Sequence, residues 1–334
     1  MNAVCKVQPQ KFAEHEGSSG HPLQYLPGIE RHLSHPSKSE VTSVDSMLTG
    51  YLKPELVLFS TSLGQVGIVA GNYPHRFINV AKHEGRVNAV AASPSGTKIA
   101  SVGSDRMMIV SSLLKNQPPL VSHPHSKCIR SIRWSSNSSL LITSSDDKLA
   151  KIWLMSRNSV HFKGTLSGHT NWVRFAAFDS QQTTMQAVTC SDDCSVKLWD
   201  VERKKNVLSF TGHSRAVVES HFLPQSPYCV NGIASGSEDN SVNVWDLREP
   251  NPVQHYGSHG GAVKSLALYP CGLNLLSACT DGILRMWDLR AGRLHWMIKA
   301  HSGSINCVRI SRMGERTYVY TGGEDRMVHV WRIP

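Results

Sequence analysis

Residues 168–178 read GHTNWVRFAAF and residues 188–200 read VTCSDDCSVKLWD. Together they set out His169, an apolar Val173 four positions on, then Thr189, Asp193 and Trp199. The same order recurs along the chain. Downstream it is His213, Val217, Ser235, Asp239 and Trp245; then His259, Val263, Ser277, Asp281 and Trp287; then His301, Ile305, Thr321, Asp325 and Trp331. Upstream it is His125, Ile129, Thr143, Asp147 and Trp153. One step further back, His83, Val87, Ser101 and Asp105 keep the order, but Ser111 stands where a Trp belongs. Before that, residues 40–69 keep the hydrophobic rhythm and lose the polar markers, with Leu63-Gly64 in place of the Asp turn. Seven units at a period of about 42 to 46 residues mean one supersecondary element repeated around a common core.

Within each unit the pattern is of short alternating segments between turns, as in Ser195–Trp199 and Ser241–Trp245, which is the period of β-strands. No helical period of useful length appears, so the expectation is all-β. The period with its Gly-His and Trp-Asp marks resembles the WD40 family, whose repeats build β-propellers. The resemblance covers about residues 37–334 and implies a single seven-bladed propeller. Between each Trp and the next His lies a further strand, such as Asn206–Phe210 or Leu294–Ile298. Trp331 is followed only by Arg332, Ile333 and Pro334, so the last blade lacks its outer strand. Residues 29–33 are expected to supply it, giving a propeller over 29–334 with no free edge. Residues 1–28, rich in Gly, Ser and Pro, read as an N-terminal arm; docking on a partner and a mobile terminus both remain open for it.

A Ser or Thr, a His and an Asp in one neighbourhood also resemble a hydrolase triad. A catalytic site is needed once, however, and this set occurs five times in full. The WD40 resemblance implies a structural role: Asp in the turn orients His, His meets the hydroxyl, and the hydroxyl meets the indole N–H. The tetrads are His125/Thr143/Asp147/Trp153, His169/Thr189/Asp193/Trp199, His213/Ser235/Asp239/Trp245, His259/Ser277/Asp281/Trp287 and His301/Thr321/Asp325/Trp331. Each bond contributes about 1 kcal/mol net. The first two units are held more by packing. No P-loop, no glycine-rich dinucleotide turn and no His-Glu-x-x-His motif is present. Cys190 and Cys194 bracket Asp192 and Asp193, but two thiols without a His pair are poor zinc ligands. The expectation is a non-enzymatic protein with no metal and no cofactor.

The chain has 334 residues, with 35 Lys and Arg against 25 Asp and Glu, a formal charge of +10. That balance favours a polyanionic or acidic partner. No apolar run approaches the length of a bilayer span, and the first residues lack the apolar stretch of a secretory signal. A cytoplasmic chain is expected. Its eight Cys, scattered without C-x-x-C pairs, are read as reduced and mostly packed.

Several segments resemble one WD40 subgroup, the proteome-of-centriole proteins of centrioles and basal bodies. They are IERHLSHPS at 29–37, GHTNWVR at 168–174, QHYGSHGGAV at 254–263, LYPCGLNLLSACTDGILRMWDL at 268–289 and SRMGERTYVYTGGEDRMVHVW at 311–331. The resemblance implies a structural role in the walls of microtubule assemblies, with tubulin or its associated proteins as partners. The subgroup's coiled-coil tail has no counterpart before Pro334, which leaves self-association through it in doubt.

Two faces follow from the loops. On the face of the d–a and b–c loops, Asp146, Asp192, Glu238 and Glu324 form an acidic rim, with Arg86, Arg130, Trp172, Arg174 and Lys264 nearer the channel. Trp172 and Arg174 are interface-type residues, although Trp172 packing between blades is an equal alternative. On the opposite face Arg203, Lys204, Lys205, Arg290 and Arg293 are the main cations, among others such as Lys98, Arg157 and Arg248. They suit an acidic protein partner such as tubulin. A ribonucleoprotein scaffold is the competing reading, weakened because the basic loops lack aromatics for base stacking. A peptide-reading propeller is a third. No small-molecule substrate and no membrane insertion are expected.

Overall fold

A computed structural model of the chain describes residues 28–34, 39–47, 56–70, 77–113, 117–179, 185–224, 232–269, 271–313 and 316–333. The arm expected over 1–28 lies outside the described residues except for Gly28. The described residues form seven four-stranded antiparallel sheets and no helix. Six are meanders whose strands are named a to d in chain order, and the seventh takes its d strand from Gly28–Ser34. In blade 4 these are Val173–Phe178, Gln186–Ser191, Ser195–Asp200 and Lys205–Thr211. The a strands of blades 1 to 7 begin at Val41, Val87, Ile129, Val173, Val217, Val263 and Ile305. They pack in sequence around a centre, and the seventh packs back against the first, so the sheets form a closed seven-bladed propeller.

Burial explains the sequence of each strand. The b strands LLITSS of blade 3 and GIASGS of blade 5 are buried at every position, because neighbouring blades cover both faces. Small and β-branched residues suit that double burial. The d strands alternate: Lys205–Thr211, KNVLSFT, buries Phe210 and leaves Lys205, Asn206 and Val207 exposed. The core is therefore seven clusters, each shared by successive blades. One joins Phe175, Val188, Leu198 and Phe210 of blade 4 to Val217, Ile233 and Trp245 of blade 5. Burying a large aromatic such as Trp245, 0% exposed, contributes roughly 2–3 kcal/mol or more.

The ring closes by sharing a sheet. Strand Gly28–Ser34 pairs antiparallel with Met327–Ile333, with Ile29 opposite Trp331 and Leu33 opposite Val328. The first segment of the propeller thus becomes the outer strand of blade 7. Across the same junction Gly322 is pressed against blade 1: a Cβ there would sit 2.6 Å from Val41 Cγ1 and 2.8 Å from Cys307 Sγ.

Two irregularities recur with the repeat. Every a strand has a register shift beside its second residue, at Asn88, Arg130, Arg174, Val218 and Lys264 among others. A bulge there re-aims that side chain. The b–c turns each place one residue in the left-handed region, Gly64, Arg106, Lys148, Cys194, Asn240, Gly282 and Arg326, with φ between 64° and 83°. Cys194 is such a turn residue. Burial and the charges of Asp193 and Asp192 raise its thiol pKa, so it is a poor thiolate.

Removing residues 1–34 leaves strand Met327–Ile333 as an open edge. The expected outcome is a melting temperature lower by roughly 5–10 °C and concentration-dependent oligomers on size-exclusion chromatography. A monomer with an unchanged melting curve contradicts this closure.

Candidate protein-interaction site

The polar markers of the repeat are hydrogen-bonded in series. In blade 4 the Trp199 indole donates to Thr189 Oγ1 at 2.7 Å, that hydroxyl meets His169 Nε2 at 2.7 Å, and Nδ1 donates to Asp193 at 2.8 Å. Blades 3, 5 and 7 repeat this, with His125, His213 and His301 each 2.8 Å from Asp147, Asp239 and Asp325. Their hydroxyls, on Thr143, Ser235 and Thr321, receive the indoles of Trp153, Trp245 and Trp331 at 2.8 to 3.0 Å. The same carboxylates accept backbone amides of the d–a loop and b–c turn, as Asp193 does from Thr170 and Ser195. Burial opposes ionisation of Asp147, Asp193, Asp239 and Asp325, but the side-chain and amide hydrogen bonds outweigh it and hold them below the ordinary carboxylate range. Burial likewise lowers the imidazoles of His83, His125 and His213 despite the carboxylate beside each. Neutral imidazoles locked in this way have no free face for acid–base chemistry.

Blade 2 keeps three members, with His83 bridging Asp105 at 2.8 Å and Ser101 at 2.9 Å. Blade 6 departs from the tetrad expected of His259, Ser277, Asp281 and Trp287. His259 Nε2 meets Ser277 at 2.8 Å and Trp287 donates to Ser277 at 2.9 Å, but Asp281 turns to Arg285 Nη2 at 2.7 Å. The carbonyls of Asn240 and Tyr256 approach the imidazole, yet Nδ1 of His259 has no hydrogen-bond partner, nor has Nη1 of Arg285. The cause is residue 285. Blades 3 and 4 place Lys151 and Lys197 there, whose ammonium groups reach outward to Pro124 O and Ser209 Oγ. Arg285 is buried, 5% exposed, and its fork captures the carboxylate.

Three of the bulged second residues, Arg130, Arg174 and Lys264, pair with b–c turns, whereas Asn88 and Asn306 donate to Ile129 O and Val41 O of the next a strand. Arg130 clamps Asp146 through two bonds of 2.7 Å, and Arg174 clamps Asp192 through bonds of 2.5 and 2.9 Å. Lys264 reaches Glu238 at 3.6 Å and Arg86 reaches Glu40 at 3.4 Å. The rim expected to be acidic is therefore largely matched by the cations expected nearer the channel. Trp172 is 38% exposed and lies between the two clamped guanidinium groups, 5.4 Å from Arg130 and 5.7 Å from Arg174. It is braced by its neighbours rather than sunk between blades.

The opposite face differs. Arg203, Lys204, Lys205, Arg290 and Arg293 are all exposed. Arg203 lies 3.7 Å from Asp200, an exposed pair of little strength, and the Lys204 stem lies against Gly164. Lys205, Arg290 and Arg293 make no ion pair among the described residues.

Six segments, 76–110, 117–153, 161–200, 204–246, 250–288 and 292–332, match the family model described as WD domain, G-beta repeat. They cover well over half of the sequence. The chain belongs to the WD40 family. The a, b and c strands of blade 1, which lack the polar markers, fall outside the matches. The WD40 beta propeller domain of Doa1 superposes with a TM-score of 0.77 at 21% identity, covering 91% of this chain and 96% of that one, a likeness of fold alone. The nuclear distribution protein PAC1 of Komagataella phaffii is 27% identical over 233 residues, 65% of this chain and 45% of that protein. PAC1 of Ajellomyces capsulatus is 37% identical over 182 residues, 54% of this chain and 39% of that protein. The human serine-threonine kinase receptor-associated protein is 24% identical over 250 residues, 75% and 67% of the two chains. The chain spans less than half the length of these PAC1 proteins. WD40 propellers serve as protein-interaction scaffolds, and that coarse function holds here.

One cluster has no counterpart in the expected sites. Glu219 and His221 of blade 5 meet Arg133 of blade 3 and Arg309 of blade 7. All four sit at the third or fifth position of an a strand. Aligning the seven a strands by position brings the signal out; following only the His, Asp and Trp marks passes over it.

Two outcomes follow. Arg285→Lys frees Asp281 to turn to His259, so the expected change in denaturant stability is within about 1 kcal/mol of zero, against the 3–5 kcal/mol typical of breaking a buried ion pair. A loss of that size shows that the Asp281–Arg285 pair is the stronger arrangement. The second concerns acid. Burial, with the Arg285 charge adding to it, lowers His259 to about 4 from 6.5. The unfolded chain then takes up the proton first, so this stability is present above the unfolded value and lost as pH falls from 6.5 toward 4. At full extent it is on the order of 3 kcal/mol. Melting temperatures should fall over that window, and less steeply in Arg285→Lys; parallel curves contradict the assignment.

Proposed function

We propose that this propeller is a non-enzymatic scaffold of a microtubule-based assembly, the centriole, basal body or ciliary axoneme, and that its a–b and c–d face meets an acidic partner such as tubulin. One observation carries the reading: the c–d turns of blades 4 and 6 gather exposed cations, Arg203, Lys204 and Lys205 in one and Arg290 and Arg293 in the other. Lys205, Arg290 and Arg293 there are exposed and unmatched among the described residues, while on the d–a and b–c face Arg130, Arg174 and Lys264 beside the channel are held by carboxylates and the exposed Arg106, Lys148, Arg215 and Arg326 stand apart in separate blades. Unmatched exposed cations steer an acidic surface toward them, and salt weakens that steering. The subgroup likeness of segments such as GHTNWVR supports the centriolar setting, and the nuclear distribution proteins among its relatives favour a cytoplasmic, cytoskeletal one. The braced Trp172 provides a second contact for a protein on the opposite face, where an anchored aromatic loses little side-chain entropy on binding.

Microtubule co-sedimentation tests the reading. Arg203→Glu, Lys204→Glu and Lys205→Glu together should reduce binding about tenfold at low salt, while Trp172→Ala leaves it unchanged. Undiminished pelleting of the triple variant sinks the tubulin contact. A tagged chain found in the nucleus or mitochondria, rather than at basal bodies or along axonemes, sinks the setting.

A further inference from the structure

Blades 3, 5 and 7 are not neighbours, so their side chains can meet only at the centre of the ring. They meet at Glu219. One carboxylate oxygen of Glu219 accepts the Leu266 amide of blade 6 at 2.9 Å. The other receives His221 Nε2 at 3.0 Å and lies 3.1 Å from Arg309 Nη1 and 3.5 Å from Arg133 Nη2. Arg133 reaches there over the Phe175 ring, 5.0 Å from its centroid, and Arg309 reaches past Ser265 Oγ at 3.3 Å. Burial opposes the Glu219 charge, but the His221 hydrogen bond and the surrounding positive groups outweigh it and hold the carboxyl ionised.

The cluster holds more donors than acceptors. Nη1 of Arg133 donates to Ile132 O and Nη1 of Arg309 to Val308 O. Nε of Arg133, and Nε and Nη2 of Arg309, have no acceptor among the described residues. The Glu219 side chain is 5% exposed, but Arg133, Arg309 and His221 are 15%, 16% and 23% exposed. The carboxylate is therefore buried beneath donors that still face the solvent of the channel. Asp45, the other carboxylate at these positions, is bound to the Ala92 amide of the next blade at 2.8 Å. Asp45 and Glu219 balance the two arginines in charge but leave their spare N–H groups unfilled. Arg133 lies near the a–b end of its strand and Arg309 at the equivalent level of the longer a strand of blade 7, past the midpoint of the channel toward the face of Lys205, Arg290 and Arg293.

We propose that Arg133, Arg309 and His221, held in place by Glu219, form an oxyanion site in the central channel that takes a carboxylate of an acidic peptide segment entering from the a–b and c–d face. Spare guanidinium edges match a carboxylate geometrically. The basic loops around the mouth supply the field that draws in a chain of several carboxylates. The proposal rests on the reading of that face as the one that meets an acidic partner, and its test fails separately from that reading.

Fluorescence anisotropy with a labelled hexaglutamate peptide, with hexaglutamine as control, measures the site in the full chain at low salt. Hexaglutamate should bind and hexaglutamine should not. Arg309→Gln should weaken binding at least about tenfold, and the Arg203, Lys204, Lys205 triple change only about threefold. Equal binding by Arg309→Gln, or loss only in the triple variant, overturns the channel site and leaves the surface reading standing. Loss of microtubule pelleting in the triple variant with peptide binding intact separates the two the other way. Inorganic phosphate that displaces the peptide at lower concentrations than the peptide itself needs overturns the peptide assignment in favour of free phosphate. Because Arg309→Gln leaves a buried carboxylate short of a partner and can unfold the chain, hydrogen exchange on the unchanged protein gives a second readout. Bound peptide should slow exchange in Ile129–Trp134 and Ile305–Met313; protection confined to residues 200–205 overturns the proposal.

Discussion

A four-stranded sheet has two faces and cannot cover either by itself. In this chain the b strands are buried on both sides, which no single blade can achieve. Each blade is stable only between two others, and the first and last blades have no second neighbour until the ring closes. Sharing of the seventh sheet by Gly28–Ser34 and Met327–Ile333 follows from that constraint, as does the tight contact of Gly322 with Val41. The interior is distributed as seven seams rather than one core. A cavity in any seam therefore loosens two blades at once.

The hydrogen-bonded relays work within this frame. Packing sets blade against blade, but it does not fix the loops at their ends. A single Asp in the b–c turn ties its own turn amide, the amide of the d–a loop and the imidazole beneath, so the relay connects loop geometry to the buried indole. Polar groups in a dry seam must all be paired, which explains why the residue types repeat so closely. Blade 6 shows how narrow the arrangement is. One change of side chain at residue 285 draws the carboxylate away and leaves two buried nitrogens without partners.

The seven-bladed architecture and its closing strand are legible in the sequence because they depend on marks that recur in order: His169, Asp193 and Trp199 have counterparts at intervals of 42 to 46 residues. The exchange of partners by Asp281 is less legible. Arg285 occupies a position where Lys151 and Lys197 are harmless, and only the reach and planarity of guanidinium separate the outcomes. Pairing of the rim is similarly hidden. Arg130 and Asp146 can be assigned to one face from the repeat, but their clamp depends on the bulge that turns Arg130 toward the b–c turn. Glu219 with Arg133 and Arg309 is the least legible of all, since its members stand 86 and 90 residues apart along the chain, and nothing local marks it.

Function divides along the same line. Residues that repeat are occupied by structure: their charges and donors are used within the blade. Residues that break the repeat set one blade of this chain apart from the others. Trp172 replaces the small or polar residues that precede the apolar marker in other blades, such as Lys127–Cys128 or Ala262, and two clamped arginines hold it at the surface. The unmatched cations of the c–d turns, and the arginines that reach the channel, are likewise singular. A scaffold built of equivalent blades needs such departures to tell one direction and one partner from another.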